Sequence, residues 1–219
     1  MNEAAPLLSQ EALAPALKVL LLVGAASLLP ALILSVTSFV RIVVVLSLLK
    51  QGLGATQTPP SQVIVGLALF LSAFTMAPVA EEIRDTAYAP LERKEITEME
   101  ALERASLPLE RFMLRQTRQN DLALFYSFSG DPLPESPEAV PLKIAMPAFL
   151  LSELTTAFQM GVIVILPFLV VDLAVASLLM SMGMMMVPPS MMSLPIKLLL
   201  FVLVDGWNLV AGSLLRSFA

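Results

Sequence analysis

The chain has 219 residues, of which 57% are hydrophobic and only 14% charged, with a mean hydropathy of +0.83. A soluble domain carries about 25% charged residues, and a chain this short cannot bury so much apolar surface on its own, so an integral membrane protein or a subunit of a large apolar assembly is expected. The formal charge of −5, without any basic tract, argues against a nucleic-acid partner.

The N-terminal segment, residues 1–18, has no basic n-region ahead of its apolar stretch beyond Lys18. The following run is therefore expected to be a retained membrane helix, or a signal has already been removed. That run, Val19–Val40, offers 22 uncharged residues, enough for a hydrocarbon core that takes about 20. Arg41 interrupts it and Ile42–Leu49 resumes it. KQGLGATQTPPSQ reads as a turn from its glycines and Pro-Pro pair. Val63–Ala80 is a second, marginal span with Pro78 near its end, so residues 19–80 are expected to form a first apolar helical hairpin.

From Glu81 to Lys143 the character changes. The segment holds 13 acidic and 8 basic residues, a net charge of −5. It reads as polar amphipathic helix broken at Pro108, followed by the proline-rich loop SGDPLPESPEAVP. The positive-inside rule, applied to Lys50 and Arg41, places the loop after the first run in the cytoplasm and segment 81–143 on the opposite, extracytoplasmic side.

Residues 144–219 are expected to form a second apolar hairpin region. Ile144–Val171 carries Glu153 and prolines at 147 and 167. The next run starts after Asp172, contains Lys197, and divides at Pro188-Pro189 into Leu173–Val187 and Ile196–Leu215. The first piece of this broken hairpin is short: fifteen helical residues rise about 22 Å against a core of about 30 Å. Between the pieces lies SMGMMMVPPSMMSLP, residues 181–195, with six methionines and three prolines. A methionine cluster is most simply a set of gap-fillers in a core.

Five charges, Arg41, Glu153, Asp172, Lys197 and Asp205, lie within or beside apolar runs. Each costs at least about 2.5 kcal/mol at the centre of an isolated membrane helix. They are expected to pair with each other or with neighbouring subunits; lining a hydrated path and snorkelling at helix ends are the alternatives. Arg41 has Glu153 and Asp205 of a neighbour as candidate partners, and no sequence feature chooses between them. Trp207, the single tryptophan, suits packing or an interfacial anchor.

Catalysis finds little support. Without histidine or cysteine the commonest acid–base and thiolate groups are missing. Asp172 in LVVDLAV and Asp205 in VLVDGWN lack the glycine and tyrosine neighbours expected of an intramembrane aspartyl protease, and there is no phosphate loop or zinc arrangement. No enzyme activity, cofactor or metal is expected. A proton-coupled carrier is a rival reading, since intramembrane carboxylates and broken helices suit it; the dissimilar apolar runs do not form the paired repeats such carriers show.

Three stretches resemble one family, the FliP/SctR proteins of bacterial type III export systems: TSFVRIVVVLSLLKQGLGATQTPPSQVIVGLALFL at 37–71, FMLRQTRQNDLALF at 112–125, and MGMMMVPPSMMSLPIKLLLFVLVDGWNLVAGSLLRSF at 182–218. The second is closer to the flagellar branch than to the virulence injectisome branch. The resemblance implies an all-α subunit of bent hairpins that assembles into a helical cone, as a pentamer with FliQ and FliR, beside FlhB and FlhA. Unfolded export substrates would pass through it at the inner membrane, within the flagellar basal body and partly on the periplasmic side. It also implies that the methionine-rich loop 182–192 is the constriction of the channel, falling on Met184, Met185 and Met186, with Met182, Met191 and Met192 beside them. Unbranched, polarisable thioethers are suited to this, since they seal against ions and still conform to a passing polypeptide. Gly183, Pro188 and Pro189 would shape the loop. Arg115, Arg118 and Asp121, three residues apart, are read as one helical face, solvated or in contact with a neighbouring subunit at the ring's outer rim.

Overall fold

A computed structural model describes residues 10–54, 59–130, 140–184 and 186–218. Among them every regular element is helical: α1 (Gln10–Ser35), α2 (Phe39–Leu53), α3 (Ser61–Ile83), a π-helical turn (Arg84–Tyr88), α4 (Ala89–Glu92), α5 (Glu98–Gln116), α6 (Gln119–Ser129), α7 (Leu142–Ser181), α8 (Pro189–Leu203) and α9 (Gly206–Arg216). The described residues are thus all-α, as the family resemblance implies. Among the described residues, three helices are long and apolar enough to cross a membrane, within Leu17–Ser35, Ser61–Glu92 and Leu142–Ser181; the bent pair α8–α9 makes a fourth if it counts as one span.

The first unit, Met1–Ser35, contains α1. From Leu17 onward its side chains are open around most of the circumference. Its serines close their hydroxyls onto the helix itself, Ser27 Oγ to Gly24 O and Ser35 Oγ to Ala31 O, both at 2.7 Å. A hydroxyl satisfied this way is tolerated in hydrocarbon.

The second unit, Val36–Ala219, is built on α2 packed along α7. The buried positions of α2, Ile42, Val45, Leu46, Leu49 and Leu53, recur at helical spacing and form one stripe. The opposing face of α7 includes the small residues Ala157 and Gly161, which lets two helices approach closely. A Cβ on Gly161 would lie 2.2 Å from Leu48 Cδ1. The core continues through Ile64 and Ala68 of α3, Phe168 of α7, Phe201 of α8, and Val210 and Leu214 of α9. A second cluster, Val79, Phe112, Met113 and Phe149, joins α3 and α5 to α7.

Several boundaries differ from the sequence reading, each for a local reason. The first run breaks at Val36–Ser38 and not at Arg41, which lies inside α2. Ser38 Oγ is held there by the hydroxyls of Ser72 (3.0 Å) and Thr75 (2.5 Å) on α3. Lys50–Leu53, read as turn, is the last turn of α2, which stops at Gly54 with φ +74°. Pro108 does not break its helix: α5 runs through it, opened by a capping box in which Thr97 and Glu100 satisfy each other's N–H groups. Pro78, Pro147 and Pro167 are likewise interior to helices. Asp172 does not separate two elements, because α7 runs unbroken for 40 residues, about 60 Å. The helix expected over Leu173–Val187 ends at Ser181. The helix expected to start at Ile196 starts at Pro189, because proline's fixed φ and missing N–H suit the first helical position. It then breaks at Val204–Asp205, where α9 turns away by 64°.

Candidate functional site

The methionine segment is the tip of a helical hairpin. At the end of α7, Met184 N–H bonds to Leu179 O (2.9 Å) and Gly183 N–H to Met180 O (3.0 Å), with Gly183 at φ +75°. This pair of bonds with a left-handed residue is the Schellman helix stop, and glycine is the residue that adopts it without a Cβ penalty. After the loop, Pro188 is the N-cap of α8 and Pro189 its first helical residue, with Met191 N–H closing onto Pro188 O at 3.1 Å. Gly183 therefore ends one arm and the proline pair begins the other.

The described methionines of this segment do not fill the protomer's own core. Met182, Met184, Met191 and Met192 are exposed, and Met186 is 97% exposed. Met184 and Met186 belong to the loop, Met182 caps α7, and Met191 and Met192 sit on the first turn of α8. Met185 lies outside the described residues. With Leu178, Met180 and Val187 also open, the tip presents many apolar side chains, most of them soft, unbranched methionines.

The arms are tied together below the tip. Lys197 Nζ of α8 donates to Asp172 Oδ2 of α7 at 2.6 Å and to Gly52 O of α2 at 3.1 Å. Ser193, one turn earlier on α8, donates to Asp172 Oδ1 at 2.5 Å. Lys197 and Ser193 are buried. This latch sits about 13 Å of helix rise from Ser181. It fixes the register of α7 and α8 and anchors both against the end of α2.

A second polar node lies at the other end of α2. Arg41 and Glu153 are both buried and form a two-pronged ion pair, Nε to Oε2 at 2.9 Å and Nη2 to Oε1. The other guanidinium protons reach Ser217 O (2.9 Å), Ser217 Oγ (3.0 Å) and Gln116 Oε1 (3.1 Å). The Phe218 ring lies 3.9 Å from Arg41 Cζ and stacks near Phe112. Arg41 thus gathers α2, α5, α7 and the residues after α9. Of its two sequence candidates it meets Glu153, on its own chain. Asp205 is elsewhere, at the exposed α8–α9 elbow with φ +51°, accepting from Asn208 Nδ2 at 3.1 Å. Trp207, beside it, packs edge-on against Phe201 at 5.3 Å.

Arg115, Arg118 and Asp121 do not share one helical face. Arg115 ends α5, Thr117 and Arg118 are extended, and Asp121 lies in the first turn of α6. The break is held by Ser152 of α7, which accepts from Arg118 N–H (3.0 Å) and donates to Asp121 Oδ2 (2.5 Å); Arg118 Nε approaches that oxygen at 4.0 Å. Ser152, Ser193, Ser217 and Gln116 all escape a reading that searches for charges. Only Ser193 carried a signal, its i, i+4 spacing to Lys197.

Comparison with known proteins follows the same stretches. The chain matches the model of the FliP family over residues 22–214. It is 53% identical to the flagellar biosynthetic protein FliP of Pectobacterium carotovorum, covering 91% of this chain and 77% of that one. Against the protein of that name from Bacillus subtilis the figures are 51%, 92% and 91%, and from Aquifex aeolicus 44%, 94% and 87%.

Proposed function

The chain belongs to the FliP family, and we propose from that premise that it is a membrane-embedded core subunit of the flagellar type III export gate. Its relatives are named flagellar biosynthetic proteins, which favours the flagellar over the injectisome reading. Identical copies, five as the family resemblance implies, join FliQ and FliR into a helical cone beside FlhB and FlhA at the inner membrane within the basal body. The polar segment 81–143 lies on the periplasmic side. Unfolded export substrates pass through the axis, and the chain catalyses no reaction.

The observation that carries this reading is the hairpin tip. A long helix that stops at Gly183 presents exposed methionines from a loop held by an ion pair whose lysine is buried. Apolar side chains in such number need cover, and copies arranged about an axis supply it to one another. Met182, Met184, Met186, Met191 and Met192 then form a soft stopper, with Met185 placed among them by sequence alone. Thioether chains exclude ions by dewetting when packed and yield when a polypeptide enters. The arrangement needs no charged ring, consistent with passage of substrates of arbitrary sequence.

The test replaces Met184, Met185 and Met186 together by alanine in a motile strain. Membrane potential should fall through an ion leak while export of flagellar subunits continues. A variant that holds its potential like wild type, with normal export, contradicts the stopper. A purified complex of variable composition, or the chain alone acting as a proton-coupled carrier, contradicts the subunit reading itself.

A further inference from the structure

The turn between α2 and α3 holds a cation that the protomer does not neutralise. Lys50 is the single charged residue between Ile42 and Ala80. It lies in the last turn of α2 and meets no carboxylate at ion-pair distance among the described residues. Its Nζ donates to Ser61 Oγ, at the start of α3, at 3.3 Å. An ammonium carries three protons, so donors are left over, and Ser61, accepting from Lys50, keeps its own proton to give. Of the other charges packed against this end, Asp172 is already held by Lys197 and Ser193. Lys197 adds a second ammonium, 4.0 Å from where a Cβ on Gly54 would stand.

Lys50 borders a cavity of about 500 Å³ between the two helices, with Ser47, Gln51 and Ser61 also on its polar side and Ile64 and Val65 on its apolar side. That volume falls among those of small-ligand sites, about 300–1,000 Å³. The Ser47 hydroxyl is closed onto Val43 O at 2.6 Å, which leaves Lys50, Gln51 and Ser61 as the side-chain donors. The first turn of α3 adds N–H groups with no helical carbonyl to meet. Such a set of donors suits an anion with several oxygens. The surface below it is apolar: Ser61, Val65, Leu69 and Ala73 recur every four residues and are all exposed. They form a stripe descending from the cavity along a helix long enough to span a membrane. A free anion makes no use of that stripe, whereas a phospholipid fills both parts.

We propose that this cavity binds the phosphate of an anionic phospholipid, with Lys50 as its counter-ion and an acyl chain laid along Val65, Leu69 and Ala73. The site lies in the leaflet opposite the polar segment 81–143. The inference rests on the reading of α3 as a membrane span, and it adds a lipid to the partners of the chain.

The test uses the purified complex in nanodiscs of mixed phosphatidylglycerol and phosphatidylcholine, with retained lipid read by native mass spectrometry. Phosphatidylglycerol should be retained in excess over phosphatidylcholine. Lys50→Gln should lower that excess about fivefold, and Lys50→Arg should keep it. Val65→Trp, which narrows the cavity with every charge in place, should lower it too. Lys94→Gln, which removes the same charge from the polar segment, should not. The same spectra report whether each variant complex carries its normal subunits. No excess with the unmodified chain, or an equal loss with Lys94→Gln, would overturn the site. Protection of Lys50 from amine acylation by millimolar inorganic phosphate, without lipid excess, would give the cavity to a soluble anion. Carbodiimide cross-linking of Lys50 to a neighbouring protein would give it to a partner's carboxylate. Both results overturn the lipid site and leave the export-gate reading standing. A chain that never partitions into membranes would remove that reading first, and this inference with it.

Discussion

Arg41 shows how one residue organises a polar node inside apolar surroundings. Its guanidinium turns one edge, Nε and Nη2, onto Glu153 and spends the remaining donors on Ser217 and Gln116. A lysine offers a point charge and lacks this planar fork. Arg41→Ala leaves a fully buried carboxylate without its partner, and the expected loss is about 3–5 kcal/mol. The double change Arg41→Met with Glu153→Leu should recover much of that loss in denaturant titrations of the purified complex; no recovery would mean that the node acts through something other than charge burial. A gentler case lies at the start of α5. The Thr97 backbone N–H and then its hydroxyl hold the Glu100 carboxyl below the usual carboxylate range. A depressed folded value means that the stabilisation is present at neutral pH and disappears as pH falls through the carboxylate range to the folded value. Amide exchange at the first turn of α5 should accelerate over that window in wild type, while Glu100→Gln should show a flatter profile. The anomalous charges were legible in the sequence as anomalies. Their partners were not, because Arg41 and Glu153 stand 112 residues apart and only the packing of α2 on α7 brings them together.

Element boundaries follow from the same pairings. A lone aspartate in an apolar run suggests a helix end, yet α7 passes through Asp172 because Lys197 and Ser193 satisfy it from α8. Prolines misled in both directions: Pro108 sits inside a helix, while Pro189 starts one. What remained legible was chemistry tied to backbone geometry, as at Gly183, read as shaping the loop, whose positive φ ends α7. The α8–α9 elbow gave no such signal, since Asp205 adopts φ +51° without being glycine. Aspartate tolerates this region where β-branched residues do not. Asp205→Gly should therefore be neutral or slightly stabilising, and Asp205→Val should cost at least about 1–2 kcal/mol, read as a lowered melting temperature of the complex. Equal tolerance of both would show that the elbow is not held in that conformation. The α2–α7 contact makes a second demand: Gly161→Ala places a Cβ against Leu48, an overpacking cost of about 1–3 kcal/mol. Leu48→Ala in the same chain should return part of it.

At the scale of the molecule, the membrane character was visible in composition, and three motifs located the family and with it the all-α architecture. The protomer adds the reason that the methionines are available: helix stop, proline start and the Lys197–Asp172 latch put them at an open tip instead of in a core. Lys197→Met should loosen that tip by leaving Asp172 without its cation, raising ion leak at unchanged subunit composition; an unaltered leak would mean that α7 and α8 keep their register without the latch. The central claim is that tips from several copies converge on one axis. The most direct measurement is cross-linking at Met186→Cys in this otherwise cysteine-free chain, using a short bis-maleimide on intact membranes. Convergence predicts covalent multimers of the chain through position 186 and protection of that position from a lipid-soluble probe. Labelling by the lipid probe, with no covalent multimer in membranes that contain the assembled complex, would place the methionines at the perimeter and contradict the account.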